Sequence, residues 1–523
     1  MRQENRKNGI ILIAVLILSL TLVLLSLTGI YLSKSGYISL SSEAKYEIAE
    51  KKANSILVNV IKYIARSREC NYPYTLPSNY ELHLKPDNTK KSCLVWVKVN
   101  YKGAKVVKVA VVPLNFPLWS TVILRKLTYF NLQGNSAIIS CEPRECKIPA
   151  LITGNTVENA TEKESIITNC PAEFLSSGVL AKVDPYIPDA FNASSVDITS
   201  WIFDSANRTE LLKKLENTYG VNLLSNNGAP SGLVHPDGIF NFSSCKVTSL
   251  YTITCDDSVS FTWDNTTQTY ISGTNKYSAL DLGDATLLFG YHGGPWTEFY
   301  GGGKISAKDI IIYHRTQISS ADSKNSPLIL VAKNSLTFKL CGCMHNIPTL
   351  KNVYIFANAM DISGMGCCGN PHSADKIKME GGLLYVHKDL ELNLTNHSYI
   401  GTEEDPTLII ADGNALIGKA GNSEIHGLLF ITNSNATLKL GEFSPIYTHG
   451  HGHGGHWGAG RFLFEGMIVS NSLDNQIKAS GNFEIRFNRE IIKKLKEKIN
   501  FIKVPYCGSY FDYLILNTKA VIY

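Results

Sequence analysis

LILVAKNSLTFKL (328–340), VYIFANAMDIS (353–363), LLYVHKDLELNL (383–394), LIIADGNALIGK (408–419), LLFITNSNATLKL (428–440) and MIVSNSLDNQIKAS (467–480) are variations on one pattern. Each has an apolar run, a turn of polar or small residues, and a second run that alternates. With Val331, Phe356, Val386, Ile410, Ile431 and Val469 taken as equivalent, the steps are 25, 30, 24, 21 and 38 residues. Gly382, Gly427 and Gly466 stand just ahead of three of the runs. Recurrence on this scale predicts a β-solenoid over 301–488, of the right-handed type, each coil stacking on its neighbour through backbone hydrogen bonds. A β-sandwich with look-alike strands is the competing architecture.

Ahead of the repeats, 67–300 reads as an irregular β-rich region. Within it LVWVKVNYKGAKVVKVAVV (94–112) holds two alternating runs around Lys102-Gly103, a hairpin signal. WIFDSANRTELLKKLENTYG (201–220) carries one amphipathic helix, near 203–219, with Asp204 or Ser205 as its cap and Gly220 placed to stop it. The glycine-rich stretch from Tyr291 to Gly303 reads as a loop, and it lacks the context of a phosphate-binding motif. Behind the repeats, 489–523 holds a short amphipathic helix, placed to cap the open end of the solenoid, and C-terminal strands.

The N-terminus has a different character. Residues 10–31, IILIAVLILSLTLVLLSLTGIY, contain no charge and as a helix span about 33 Å, enough to cross a bilayer core. Arg2, Arg6 and Lys7 precede the span and only Lys34 follows it closely, which predicts a cytoplasmic tip and an exported body. Helical spacing continues to about residue 66. Ala49, Ala53, Ile56, Leu57, Val60, Ile61 and Ile64 recur at three and four, with most charges opposite. Gly29 and Gly36 between the halves could permit a bend or local melting.

A basic tip (1–9), then Lys7-Asn8-Gly9, then an apolar helix opening at Ile10, resembles the class III leader of type IV pilins. The resemblance implies cleavage after Gly9 and a methylated Ile10. It is nearest to PilX-type minor pilins, through Tyr46-Glu47-Ile48-Ala49-Glu50-Lys51-Lys52-Ala53 and through Gly382-Leu383-Leu384-Tyr385-Val386 and Gly427-Leu428-Leu429-Phe430-Ile431 in the body. Phe487-Asn488-Arg489-Glu490-Ile491-Ile492 is similar to a terminal segment of that family, without its proline. Major pilins carry Phe and Glu where this chain has Ile10 and Ala14, so the resemblance implies a tip or priming subunit rather than a repeating one. The partners it implies are other pilin subunits, met through the helix, the inner-membrane pilus machinery, and a surface ligand of unknown nature.

Twelve cysteines in an exported body predict disulfides, with Cys141/Cys146, Cys245/Cys255, Cys341/Cys343 and Cys367/Cys368 as the close pairs; Cys70, Cys93, Cys170 and Cys507 complete the set. Three repeats carry extra residues after their second strand. The first two insertions bring Cys341, Cys343 and His345 beside Cys367, Cys368 and His372, a set suited to disulfides or to a soft metal. The third holds His449, His451, His453 and His456, whose alternation with glycine suits zinc, copper or nickel, or else a hydrated loop. No other cofactor is expected.

A net charge of +5 without a dense basic stripe gives no basis for nucleic-acid binding. Neither G-x-S-x-G nor H-E-x-x-H occurs. Asp361, Asp389 and Asp412 sit near strand ends, where turn roles are the ordinary reading. The expected fold is mainly β with a long N-terminal helix. The expected activity is assembly and display at the cell surface, without enzymatic turnover. A membrane-anchored solenoid enzyme acting on surface polysaccharide and a non-pilus adhesin are the alternatives.

Overall fold

The computed structural model describes residues 4–67, 70–86, 92–113, 119–132, 136–139, 150–154, 166–168, 197–291, 294–322, 326–341, 347–365, 377–394, 398–419, 422–441, 461–479, 482–504 and 519–522. The chain is mainly β, with one long N-terminal helix, and divides into two compact units. One comprises Met1–Asn115 with Tyr510–Tyr523, the other Phe116–Ser509.

In the first unit, helix α1 (Glu4–Ser67) runs without a break through Gly29 and Gly36, so neither glycine melts it. Several hydroxyls along it are satisfied locally. Ser19 donates to the Leu16 carbonyl, Thr21 to Ile17, Ser26 to Leu22 and Thr28 to Leu24. Polar side chains therefore interrupt neither the backbone ladder nor the apolar surface.

The distal half of α1 buries Ala49, Ala53, Leu57, Val60, Ile61 and Ile64, with Ile56 at the margin. Their partner is an antiparallel sheet of β1 (Tyr80–Pro86), β2 (Ser92–Tyr101), β3 (Ala104–Pro113) and the strand Lys519–Ile522. On β2, Cys93, Val95, Val97 and Val99 are buried, while the residues between them are at least partly open to solvent. This is the alternation of a sheet with one dry face. Lys102 and Gly103, both at positive φ (49° and 90°), make the expected two-residue hairpin turn. A Cys70–Cys93 disulfide ties the end of the helical segment to β2, a pairing the sequence spacing did not suggest.

The second unit is built from parallel ladders. The first ladder joins 304–307, 329–332, 354–357, 383–386, 407–411, 427–431 and 466–470 in register. The second joins 390–394, 415–419, 437–441 and 474–479, and earlier tiers of the same kind pair 309–313 with 335–339 and then 359–363. The third joins Thr297–Gly301, Thr316–Ser320, Thr349–Lys351, Lys378–Glu380, Ser398–Ile400, 423–425, 461–465 and Asn482–Arg486. Each tier visits the three ladders in that order. Thr297–Gly301, read as loop for its glycines, is a strand because Phe299 points into the core and is fully buried.

The glycines ahead of the strands have a steric cause. At the corner between the third and first ladders, backbones of adjacent tiers nearly touch. A Cβ on Gly466 (φ 137°) would lie 1.8 Å from the Gly427 carbonyl oxygen, and one on Gly427 would lie 2.0 Å from that of Thr407. No side chain fits there.

The repeat region is not confined to 301–488. At its start, Gly238–Ile239 and 279–281 extend the first ladder, and 244–246 and 286–289 extend the second. The strands between them form an antiparallel meander stapled by the Cys245–Cys255 disulfide, whose members face each other across one register pair. At its far end the chain supplies the next tier from a segment that precedes the repeats. Val122–Leu124 pairs with 468–470, Leu127–Leu132 with 475–479, and Ala137–Ile139 with 484–486. Leu151–Thr153 and Ile166–Thr168 add a further layer. The stack is thus circularly permuted relative to the sequence.

The first ladder is buried on both faces. Leu330, Ile355, Leu384, Ile409, Leu429 and Ile468 point into the ladder core, while Val331, Phe356, Tyr385, Ile410, Phe430 and Val469 point outward and are equally buried. The outward row is covered by α2 (Thr199–Ile202), α3 (Arg208–Tyr219), the segment 220–234 and α4 (Arg489–Lys498). Two expectations change here. Tyr385 and Phe430, rather than Val386 and Ile431, are the register partners of Phe356 and Ile410, a one-residue slip that exchanges faces. Helix α4 covers the flank of the stack rather than its open end, because Ile491, Ile492 and Leu495 meet the outward apolar row. Helix α3 ends at Gly220 (φ 67°) as expected, but its cap is Asn207, whose side chain accepts from the Glu210 amide.

Candidate functional site

Two places stand out, one in each unit. In the first, the proximal half of α1 exposes nearly every apolar side chain from Val15 to Leu40, with Leu25 at 68% and Tyr37 at 75%. Lys34 is the only charge between Ile10 and Ser42. This helix is long and apolar enough to cross a membrane, with a mean hydropathy of 2.4 over its most apolar window. Apolar exposure on this scale needs lipid or another apolar surface to cover it. Gly9 and Ile10 lie within the helical backbone of α1.

In the second unit, the covering segment is held to the ladder by a buried ionic knot. Asp412, at the end of Thr407–Ala411, is 1% exposed. Arg208, the first residue of α3, reaches it with two hydrogen bonds of 2.6 Å, from Nε to Oδ1 and from Nη2 to Oδ2. His387 Nδ1 lies 2.8 Å from Oδ2, and Thr432 donates to Oδ1. Arg208 also binds the side chain and carbonyl of Asn227, and the Tyr385 hydroxyl donates to the Gly228 carbonyl at 2.7 Å. Burial alone would raise the Asp412 carboxyl, but Arg208, His387 and Thr432 together reverse it, from an ordinary 3.8 to about 2. The knot is therefore ionised at neutral pH. Both oxygens of Asp412 are engaged twice over, so the knot anchors the covering segment to the ladder.

A second polar contact ties α4 to the corner. His426 lies 3.1 Å from Glu465 and 3.3 Å from Glu424, and Asn488, the cap of α4, donates to Glu465 at 3.2 Å. Burial opposes charge on His426, and the two carboxylates outweigh it and raise its pKa.

Of the residues singled out from sequence, Cys245 and Cys255 are joined in a disulfide. Cys341 ends the strand Ile329–Cys341, where it pairs in register with Met365. The first two insertions therefore leave from neighbouring tiers on one edge, and the third leaves after Gly441, again behind a strand of the second ladder. Cys141, Cys146, Cys343, Cys367, Cys368, His449, His451, His453 and His456 lie outside the described residues. Among the described residues no group of three or more His, Cys, Asp or Glu is arranged to hold a metal.

The three aspartates separate. Asp389 is a turn residue that accepts from Asn414, Asp361 is exposed on its strand, and Asp412 sits in the knot. Arg208 was missed from sequence, because nothing local links it to an aspartate 204 positions later. No protein family, curated protein or solved structure matches the chain.

Proposed function

We propose that this chain is a minor pilin-like surface protein, anchored by α1 in a membrane with its body outside, which takes part in type IV pilus assembly, tip display or adhesion. The observation that carries the reading is the division of α1. Its first half is apolar all round and exposed, and its second half is one-sided and packed on an antiparallel sheet. Such a rod serves lipid first and sister rods afterwards, while its far end holds a folded unit. The local satisfaction of Ser19, Thr21, Ser26 and Thr28 suits a hydrocarbon environment. The partners are other pilin subunits, through the exposed half, and the inner-membrane machinery that handles them.

The body we read as a β-solenoid that starts near 238, runs through 486 and is completed by 122–153. The three parallel ladders and their corner glycines support it. Right-handed winding is the hand expected of parallel crossovers.

Mass spectrometry of the mature N-terminus from the native host tests the reading. A chain beginning with methylated Ile10 is expected. An intact Met1, or cleavage beyond Tyr31, overturns it.

A further inference from the structure

Lys498, the last residue of α4, points at the corner between the third and first ladders. Its Nζ lies 3.0 Å from Oδ1 of Asn352 and 2.5 Å from Oδ1 of Asp405. We propose that these three residues form an intramolecular isopeptide site, in which Lys498 becomes covalently joined to Asn352 with Asp405 as the proton relay.

All three partners are held in place by neighbouring tiers. Asn352 sits at φ 53°, a conformation that asparagine tolerates better than most residues. Its amide donates to the Glu380 carbonyl at 2.7 Å, and its carbonyl accepts from the Ser320 hydroxyl at 2.5 Å. Asp405 is fixed in a tight turn, its amide donating to the Thr402 hydroxyl and its carbonyl accepting from the Thr402 amide. Lys494, one helical turn before Lys498, donates to the Glu403 carbonyl at 2.6 Å and sets the angle of the helix end.

An independent feature marks the space where the groups meet. Gly381 (φ 73°) faces it, and a Cβ there would lie 2.5 Å from Asn352 Oδ1 and 3.2 Å from Lys498 Nζ. The absent side chain leaves room for amide and amine to approach. Holding reactants in this way converts a sluggish bimolecular step into an intramolecular one.

The chemistry balances with these groups alone. Lys498 passes a proton to Asp405 and becomes a free amine. Its nitrogen attacks Cγ of Asn352, and the carbonyl electrons move onto Oδ1. Asp405 delivers the proton to Nδ2, the Cγ–Nδ2 bond breaks, and the carbonyl reforms. The new bond is Nζ–Cγ. Ammonia leaves to solvent, taking the proton that the attacking nitrogen sheds, and Asp405 is a carboxylate again. Lys498 and Asp405 are partly open to water, at 28% and 41% of side-chain surface, which gives ammonia an exit. The bond would clamp α4 onto tiers 146 residues earlier in the chain.

Peptide mapping of the full chain, denatured, reduced and digested after prolonged incubation at neutral pH, tests this. The expected product joins the peptide holding Asn352 to the one holding Lys498, with a mass below their sum by one ammonia. Lys498→Arg and Asp405→Ala, shown by circular dichroism to keep the fold, should both release the two peptides separately. Separate peptides from the unaltered chain overturn the proposal, and so does full cross-linking in Asp405→Ala.

Discussion

The antiparallel sheet under α1 and the first parallel ladder of the body are both apolar, yet they carry their burial differently. β2 alternates, with Val95 and Val97 buried and Leu94 39% exposed between Cys93 and Val95. In the strand Leu383–Val386 all four residues are buried, because core lies on one face and the covering segment on the other. A sheet with one dry face announces its orientation in its sequence. A sheet with two dry faces announces only that it is buried.

The contrast is sharpest at the corners. Gly466→Val should be the most damaging change in the molecule, costing about 4 kcal/mol or more, since the new Cβ meets the Gly427 carbonyl and neither backbone can retreat. Chemical denaturation of the body should show a collapse of its unfolding midpoint, and a near-normal midpoint would mean the ladders are not packed as described.

The outward rows offer the next test. Phe430→Ala removes a fully buried ring that packs on Phe203, and should cost about 3–5 kcal/mol. Leu94→Ala, on the outward side of the one-faced sheet, should stay within about 0.5 kcal/mol. Equal losses in urea melts would show that the two sheets do not differ in burial in this way.

Asp412→Asn removes the charge that Arg208 is buried against, and should cost about 3 kcal/mol at neutral pH. The folded carboxyl sits near 2 and the unfolded one near 3.8, so the native state binds fewer protons between those values. The stabilisation is complete above about pH 4 and fades as pH falls towards 2. Melts of the two proteins should therefore differ by a constant amount from pH 5 to 7 and converge in acid. A gap that persists unchanged at pH 2 would show that the carboxylate is not the source. Smallest is Glu50→Gln. The ion pair with Lys108, 2.6 Å long, joins α1 to β3, but with Glu50 42% exposed it should be worth about 0.5 kcal/mol, screened further by salt.

Much of the first unit was legible in advance. The spacing of Ala49, Ala53, Leu57, Val60, Ile61 and Ile64 named the buried stripe of α1, and Lys102-Gly103 named the hairpin turn. Both are short-range patterns, written within a few residues of where they act. In the body, strands and corner glycines were visible, but register was not. With Tyr385 and Val386 both buried, alternation could not say which faced the core.

The sequence by itself therefore determined a rod with an apolar first half, a β-rich body, and a turn or strand at most positions along the repeats. Only the tertiary structure decided that 122–153 completes a stack begun at 238, that α4 lies along its flank, and that Arg208 finds Asp412. Apolar runs buried on two faces look alike to any neighbour. What selects among them is the closing of distant edges and the burial of a charge against its partners, and both arise only once the chain is folded.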